Sequence, residues 1–224
     1  MTYQIHTIAF GIVNAYLLKG EKCVLVDAGV PGGKKSFLRG LEKAGVKPGE
    51  IKLVIITHGH MDHMGIAKTL ADTTGAKIAI HHRDRTWLET GVSPVPPGTT
   101  ILGKVLSALG GRIPEISVEP TKADIVLGDN GLSLEAYGIP GRIIYTPGHT
   151  MGSVSVLLEG GEAFVGDLAM SSRFMRLRPG PPIFAEDLES VMQSWNVLVE
   201  SDGKTIFPAH GKPFSIDVFR KLVS

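Results

Sequence analysis

The sequence is poor in cysteine and has no marked excess of charge of either sign. Cys23 is the single cysteine among 224 residues, so the chain can form neither an intramolecular disulfide nor a metal site built from several thiolates. Lys and Arg together number 23 and Asp and Glu 22, for a formal net charge of +1. Proteins that bind nucleic acids usually carry a basic stripe and a high pI, so we expect no nucleic-acid partner.

Long hydrophobic runs and a basic N-terminal segment are also lacking. The apolar stretch over residues 8–18 is interrupted by Gly11 and Asn14 and is too short to span a bilayer. The first residues lack the positive charges of a secretory signal. We therefore expect no membrane partner and a cytoplasmic location, which fits the scarcity of cysteine.

What the chain does contain is enough apolar residues, 43%, for a sizeable core. In the first hundred residues, strand and helix patterns alternate. They predict strands at 3–10, 12–18, 22–27, 51–57 and 77–81, and helices at 34–45 and 64–74. Beyond residue 124 we predict strands at 125–127, 132–137, 142–145, 154–158, 163–165 and 204–207, and helices at 188–199 and 215–223. This order indicates an α/β (α+β) fold.

Residues 84–120 depart from the alternation. Prolines and glycines predict a loop over 91–100, and an apolar stripe predicts a helix over 101–109. We interpret the segment as an excursion from a single domain that covers residues 1–224. Several interpretations of its helix stay open: a packed connecting helix, a mobile lid or wall of a substrate pocket, and the face of a homodimer.

Potential metal ligands are concentrated after the buried strand at 51–57. His58, His60, Asp62 and His63 fall within six positions. Side chains at positions i and i+2 of an extended segment point the same way, so His58 and His60 can reach one ion. Asp62 and His63 follow where the chain turns into a helix, and they can face a neighbouring ion. The spacing suits two metals better than one.

Three later strand ends offer further ligands, namely His149, Asp167 and His210. The two halves of the chain share a weak sequence similarity. Residues 55–60 and 143–149 each contain a buried strand that is followed by Thr, Gly and His. A single histidine of this kind is more often structural than a metal ligand. The set as a whole has little structural reason to exist without a metal.

Residues 58–63, His-Gly-His-Met-Asp-His, resemble the His-x-His-x-Asp-His signature of the metallo-β-lactamase superfamily. Residues 146–150, 166–167 and 210–211 resemble its later ligand motifs, in the same order, and residues 24–29 resemble its Asp-x-Gly strand. The resemblance covers nearly the whole chain. It implies a four-layer αββα sandwich of two similar halves.

Carried over residue by residue, the resemblance implies a complete dinuclear site. In this assignment the first ion is held by His58, His60 and His149, the second by Asp62, His63 and His210, and Asp167 bridges both. Asp27 would orient a ligand as its hydrogen-bond acceptor. We expect two divalent ions; nitrogen and oxygen ligands suit Zn²⁺ and also accept Fe or Mn.

The same resemblance implies a hydrolase in which a metal-bridging hydroxide attacks the substrate. Aspartate at the bridging position is similar to the glyoxalase II, lactonase and phosphodiesterase branches, whereas the best-known β-lactamases have Cys or Ser there. We therefore expect cleavage of an ester-like acyl bond, a thioester or a lactone, in a small molecule, with Asp62 and Asp167 as catalytic carboxylates. The alternatives are phosphodiester or β-lactam hydrolysis and, from another class, a mononuclear-iron oxidoreductase similar to the persulfide dioxygenases.

Other polar residues match no ligand motif. Arg173, Arg176 and Arg178 follow Asp167 in a proline-rich loop. We interpret this as a solvated loop, with an anion grip for substrate as the alternative. The histidines outside the motifs, expected to be structural or to line a pocket, are His6, His81 and His82.

Overall fold

The computed structural model describes residues 2–110, 117–172 and 178–223, and two six-stranded sheets form its centre. The first sheet contains, in spatial order, β1 (Gln4–Phe10), β2 (Val13–Lys19), β3 (Cys23–Val26), β4 (Ile51–Ile55), β5 (Lys77–His81) and β6 (Ile125–Leu127). The second contains β7 (Leu132–Ser133), β8 (Gly141–Tyr145), β9 (Val154–Leu158), β10 (Glu162–Gly166), β11 (Thr205–Pro208) and β12 (Phe214–Ser215). Each half of the chain thus supplies one sheet.

Helices flank both sheets. They are α1 (Lys34–Ala44), α2 (Met61–Met64), α3 (Ala67–Thr74), α4 (Arg85–Thr90), α5 (Ile101–Gly110), α6 (Leu188–Glu200) and α7 (Asp217–Val223), with 3-10 turns at Pro48–Glu50 and Glu135–Tyr137. Within the described ranges, every helix is too short or too polar to cross a membrane.

Burial on β2 shows how the layers are arranged. Leu17 and Leu18 are both fully buried, and neighbouring residues of a strand face opposite sides. Leu17 packs in the core that also contains Phe37 of α1, whereas Leu18 packs between the sheets with Phe164. Trp195 of α6 belongs to a third core on the outer face of the second sheet. The four-layer αββα architecture is therefore confirmed.

The predicted helix at 64–74 is wrong in one respect, since the chain forms two helices, α2 and α3, separated at residues 65–66. Gly65 lies against the backbone of the β3–α1 loop, and a Cβ there would fall 2.3 Å from the carbonyl carbon of Val30. Its N–H donates to the carbonyl of Gly29 at 2.8 Å. This long-range contact leaves no trace in the helical periodicity.

Three strand predictions were too long, and one of them is the strand predicted at 51–57, which ends at Ile55. The segment predicted as strand 132–137 forms strand only at Leu132–Ser133 before the 3-10 turn. Strand β3 ends at Val26 because Asp27 takes the left-handed conformation, with φ at 67°. Non-glycine residues rarely adopt this conformation, which commonly marks a functional position.

The excursion at 84–120 contains α4 and α5. Gly103 of α5 lies against the carbonyl of Ile183, and Thr99 donates its N–H to the same carbonyl at 2.9 Å. The apolar stripe of α5 remains largely exposed to solvent. Its exposed side chains are Ile101, Leu102, Val105, Leu106 and Leu109, of which Ile101 is 84% exposed. Of the interpretations left open for this helix, the structure therefore excludes a connecting helix whose apolar stripe packs in the core.

Candidate metal centre

The predicted ligands follow strand ends at one edge of the sandwich. Strands β3 to β6 are mutually parallel, as are β10 and β11, so the carboxyl ends of neighbouring strands lie at a common edge. The loops and the short helix α2 at this edge bring together all of the predicted ligands, which are His58, His60, Asp62, His63, His149, Asp167 and His210. Asp62 is the most exposed, with 32% of its side chain accessible, and the others are buried.

Three imidazoles form the first group. Nε2 of His149 lies 3.1 Å from Nε2 of His58 and 3.0 Å from Nδ1 of His60. In a tetrahedral zinc site with Zn–N bonds of about 2.0–2.1 Å, ligand nitrogens are about 3.3 Å apart. The two separations from His149 are thus close to the one that a single ion requires.

The second group contains Asp62, His63 and His210. Oδ2 of Asp62 lies 3.2 Å from Nε2 of His210 and 3.9 Å from Nε2 of His63. Asp167 stands between the two groups. Its Oδ2 is 3.4 Å from Nε2 of His210 and 3.8 Å from Nε2 of His149, a position suited to a bridging ligand.

Two buried polar atoms at this place lack hydrogen bonds among the described residues. They are Nε2 of His63 and Oδ1 of Asp167. Leaving such an atom unpaired costs about 1–3 kcal/mol, so buried donors and acceptors are normally satisfied. A cation between the two atoms would satisfy both, and the residues present therefore fit a metal.

The outer hydrogen bonds of the imidazoles determine which nitrogen faces the centre. Nδ1 of His149 donates to the carbonyl of Phe184 at 2.8 Å, and Nδ1 of His210 donates to the carbonyl of Ile12 at 3.1 Å. A carbonyl can only accept, so each ring carries a proton on Nδ1 and turns Nε2 toward the centre, where it offers a lone pair whenever the ring is neutral. Neutral imidazole with a free lone pair is the form that binds a metal.

Asp27 orients a third imidazole and makes the contact predicted for it. Its Oδ2 lies 2.9 Å from Nδ1 of His63, and its Oδ1 accepts the N–H and the hydroxyl of Thr57, each at 2.8 Å. Because the Thr57 hydroxyl already donates its proton to Asp27, its oxygen accepts a hydrogen bond from Nδ1 of His58 at 3.1 Å. One carboxylate thereby directs Nε2 of both imidazoles inward.

Burial makes the first group neutral. It lowers the pKa of His58 and His149, and it lowers that of His60 to about 3. Neighbouring imidazoles lower the pKa of His58 and His60 further. All of these rings therefore present lone pairs near neutral pH.

The second group holds protons instead. Burial opposes charge on His63 and His210, but Asp27 raises the pKa of His63 well above its ordinary value. Asp167 raises the pKa of His210 to about 10. Burial also opposes ionisation of Asp62, yet His63 brings the pKa of that carboxyl down to about 2. In the metal-free protein the protonated rings of His63 and His210 thus balance the charge of the carboxylates. A divalent ion would replace these protons.

Two neighbours of the centre, Asp84 and Trp87, were not predicted from the sequence. The indole of Trp87 stacks on His60, with ring centroids 5.9 Å apart and planes 6° apart. Asp84 is buried and binds the two loops that carry the first group. Its position before α4 indicates only a helix cap, so no local signal reveals these contacts.

The remaining candidates lie elsewhere. His81 is buried, pairs through Nε2 with Asp129 at 3.1 Å and stacks on Tyr145, while His82 beside it is exposed. His6 lies on β1, with its ring 3.3 Å from the side chain of Gln4. Arg178 is exposed. Arg173 and Arg176 lie outside the described residues.

Comparison with known proteins agrees with the geometry. A family model described as the metallo-beta-lactamase superfamily matches residues 8–210. YobT of Bacillus subtilis is 32% identical over 212 residues, covering 89% of this chain and 83% of YobT. The probable metallo-hydrolase YflN of Bacillus subtilis is 25% identical over 234 residues, covering 96% of this chain and 87% of YflN. The crystal structure of ST1585, an archaeal metallo-beta-lactamase superfamily protein from Sulfolobus tokodaii, superposes with a TM-score of 0.69 at 24% identity, over 100% of this chain and 86% of that one.

Proposed function

Because the chain belongs to the metallo-β-lactamase superfamily, we propose that it is a dinuclear metal-dependent hydrolase that cleaves an ester-like acyl bond, a thioester or a lactone. The observation that carries the proposal is the position of Asp167 between two groups of three ligands. The relative YflN is named a probable metallo-hydrolase, which supports the coarser part of the proposal.

The ligand assignment follows the two groups. His58, His60 and His149 would hold one ion, Asp62, His63 and His210 would hold the other, and Asp167 would be shared between them. Zinc is our choice because all of these ligands are nitrogen or oxygen, although iron or manganese would also fit. Two such ions lower the pKa of a bound water toward about 7 and polarise the substrate oxygen.

The protein residues position the reactants and move the proton. Asp62 is the ligand most open to solvent, so its carboxylate is placed to take a proton from the attacking water and return it to the leaving group. The buried imidazoles keep water away from the other side of the centre. Asp167 and Asp62 are thus the carboxylates on which turnover depends.

The acyl part of the substrate is proposed to lie along the exposed stripe of α5. The hydroxyl of Thr99, just before this helix, donates to the carbonyl of Pro182 at 2.6 Å. Two residues on, the carbonyl of Phe184 accepts from His149. The same short segment therefore anchors α5 and orients a metal ligand, which favours a pocket wall over a face remote from the centre.

The test is a combined metal and substrate assay. Protein reconstituted with zinc should retain two ions per chain and turn over a lactoyl-glutathione thioester or a long-chain acyl lactone faster than a phosphodiester or a cephalosporin. Clearly fewer than two ions, or iron alone with oxygen consumption, would overturn the dinuclear hydrolase. Faster turnover of the phosphodiester or the cephalosporin would overturn the proposal that the substrate contains an ester-like acyl bond.

A further inference from the structure

Asp84 is a buried carboxylate that the proposed ligand set does not use. It lies between β5 and α4 and is 1% exposed. Its position is that of an N-cap residue, yet its side chain makes no capping bond to α4. Asp84 instead turns toward the candidate metal centre, where its Oδ2 accepts the N–H of Gly59 at 2.9 Å and the hydroxyl of Thr150 at 2.8 Å.

These partners belong to the two loops that carry the first group of ligands. Gly59 separates His58 from His60 in the loop after β4, and Thr150 follows His149 in the loop after β8. The loops follow strands of different sheets, which meet nearby through the N–H of Val154 and the carbonyl of Thr57 at 2.9 Å but share no ladder among the described residues. Asp84 is bonded to both, and it therefore spans the two halves at the place where the three imidazoles meet.

Close packing shows that the contact is specific. The N–H of Gly152 also hydrogen-bonds the carboxylate, and a Cβ at Gly152 would fall 2.2 Å from Oδ1 of Asp84. A Cβ at Gly59 would fall 2.8 Å from the ring of Trp87. Only glycine at both positions lets the loops approach the β5–α4 turn this closely.

The second group is held by other means. Asp27 orients His63, and the β1–β2 turn holds the segment of His210, since the side chain of Asn14 donates to the carbonyl of Gly211 at 2.9 Å. Asp84 makes none of these described contacts. Any effect of Asp84 should therefore fall on one group and spare the other.

We propose that Asp84 is a positioning residue for the first metal, setting the separation of His58 and His60 from His149 and hence the affinity for that ion alone. The inference rests on the proposed dinuclear function. Residues that orient metal ligands from outside typically alter metal affinity by about 10- to 100-fold when they are replaced. Asp84 acts on the loops rather than on the imidazoles, and the effect should be of the same order.

The conservative variant is Asp84→Asn. It keeps the size of the side chain and one acceptor oxygen, but its amide group must face a donor of either Gly59 or Gly152. Thr150→Val is a milder second variant that removes the hydroxyl bond to Asp84, together with the contact of the same hydroxyl to Ser153 at 3.0 Å, and leaves the Gly59 bond in place. Asp124→Asn is the matched control, because Asp124 accepts the N–H of Ile78 at 2.9 Å at the other end of β5.

Cobalt-loaded proteins are titrated with a chelator while bound metal and the cobalt absorption spectrum are recorded. The reference spectra come from His149→Ala, which lacks a ligand of the first group, and His210→Ala, which lacks one of the second. Asp84→Asn should release the first ion at a chelator concentration about 10- to 100-fold lower than the parent chain, with the second ion unchanged. Thr150→Val should show a smaller shift of the same step, and Asp124→Asn none.

Each result is decisive. If the parent chain holds two ions and Asp84→Asn releases both as the parent does, or weakens both equally, the positioning role is wrong and the dinuclear function stands. If Asp84→Asn does not fold, Thr150→Val decides the question in the same way. If the parent chain itself holds fewer than two ions, the proposed function fails first.

Discussion

Asp167 and His63 face each other in the buried centre, with Oδ1 and Nε2 3.4 Å apart, and neither atom makes a hydrogen bond to any described residue. The other ring nitrogen of His63, Nδ1, is hydrogen-bonded to Asp27, so the orientation of the ring is fixed. In the metal-free protein the proton on His63 faces the Asp167 carboxylate across this gap, because nearby carboxylates raise the pKa of His63. A cation at this place would take over the role of that proton.

Replacing Asp167 with alanine should remove turnover on the true substrate, by more than the about 100-fold loss typical of residues that only orient ligands. The same variant should bind less metal, since both groups lose a shared ligand. Steady-state kinetics and metal content after dialysis measure this. Asp129→Ala is the control, because Asp129 also pairs with a histidine, His81, outside the centre. Full activity of the Asp167 variant would exclude the bridging role.

Substitutions at Asp27 should separate its two roles, which are to orient His63 and to adopt the left-handed backbone conformation. Asp27→Asn and Asp27→Gly should both weaken metal binding by about 10- to 100-fold, because His63 loses its charged acceptor. Asp27→Ala should in addition place a residue poorly suited to φ of 67° there, and a strained backbone of this kind costs about 1–3 kcal/mol. Urea unfolding of the metal-free proteins should rank alanine as less stable than glycine. An alanine variant as stable as glycine would argue against backbone strain.

The pH dependence of metal-free stability should reveal the proton on His210. Its pKa is raised from 6.5 to about 10 by Asp167, so its stabilising contribution is complete below pH 6.5 and is lost as the pH rises through about 10. Destabilisation by His210→Gln should accordingly be larger near pH 6.5 than near pH 10, measured by urea unfolding.

His81→Gln supplies the comparison for that measurement. Burial lowers the pKa of His81, so this side chain is uncharged above pH 6.5 and its substitution should have a constant effect over the same range. A constant effect of His210→Gln as well would show that His210 is neutral in the metal-free protein.

The exposed stripe of α5 predicts a chain-length effect. Leu102→Glu should raise KM for long-chain acyl substrates several-fold and leave kcat for short ones unchanged, because it places a charge on the proposed acyl wall. Stability should change by less than about 0.5 kcal/mol, as expected for an exposed position. Lys104→Ala on the same helix is the control. A lower molecular mass of Leu102→Glu in solution with unchanged kinetics would identify the stripe as a dimer face instead.

Local patterns were sufficient for much of the fold. The predicted strand at 77–81 agrees with the structure, and the helix predicted at 34–45 ends one residue earlier, at Ala44, where Gly45 takes a φ of 61°. Apolar periodicity reports which face of an element is buried, and that is enough to place the elements in layers. The break at Gly65 was not predictable, because it depends on contact with Val30 from a distant loop.

For the candidate centre, residue types, their order along the chain and the family resemblance predicted the seven candidate ligands that the structure brings together, but not Asp84 or Trp87 beside them. The short spacing of His58 and His60 makes their convergence a local property of one loop. Apart from Asp27, the hydrogen-bond acceptors that orient the imidazoles could not be predicted from the sequence. Phe184 and Ile12 contribute only their carbonyls, which any residue could supply, so no side-chain signal marks them.

The sequence alone determined the ligand types and the strand ends that carry them, because both follow from residue chemistry and from local periodicity. Only the tertiary structure decided how the halves meet. It placed Asp84 between the loops of Gly59 and Thr150, assigned the proton of His149 to Nδ1 and left the stripe of α5 uncovered. These features depend on contacts between residues far apart in the chain, and packing across the two sheets brings them into place.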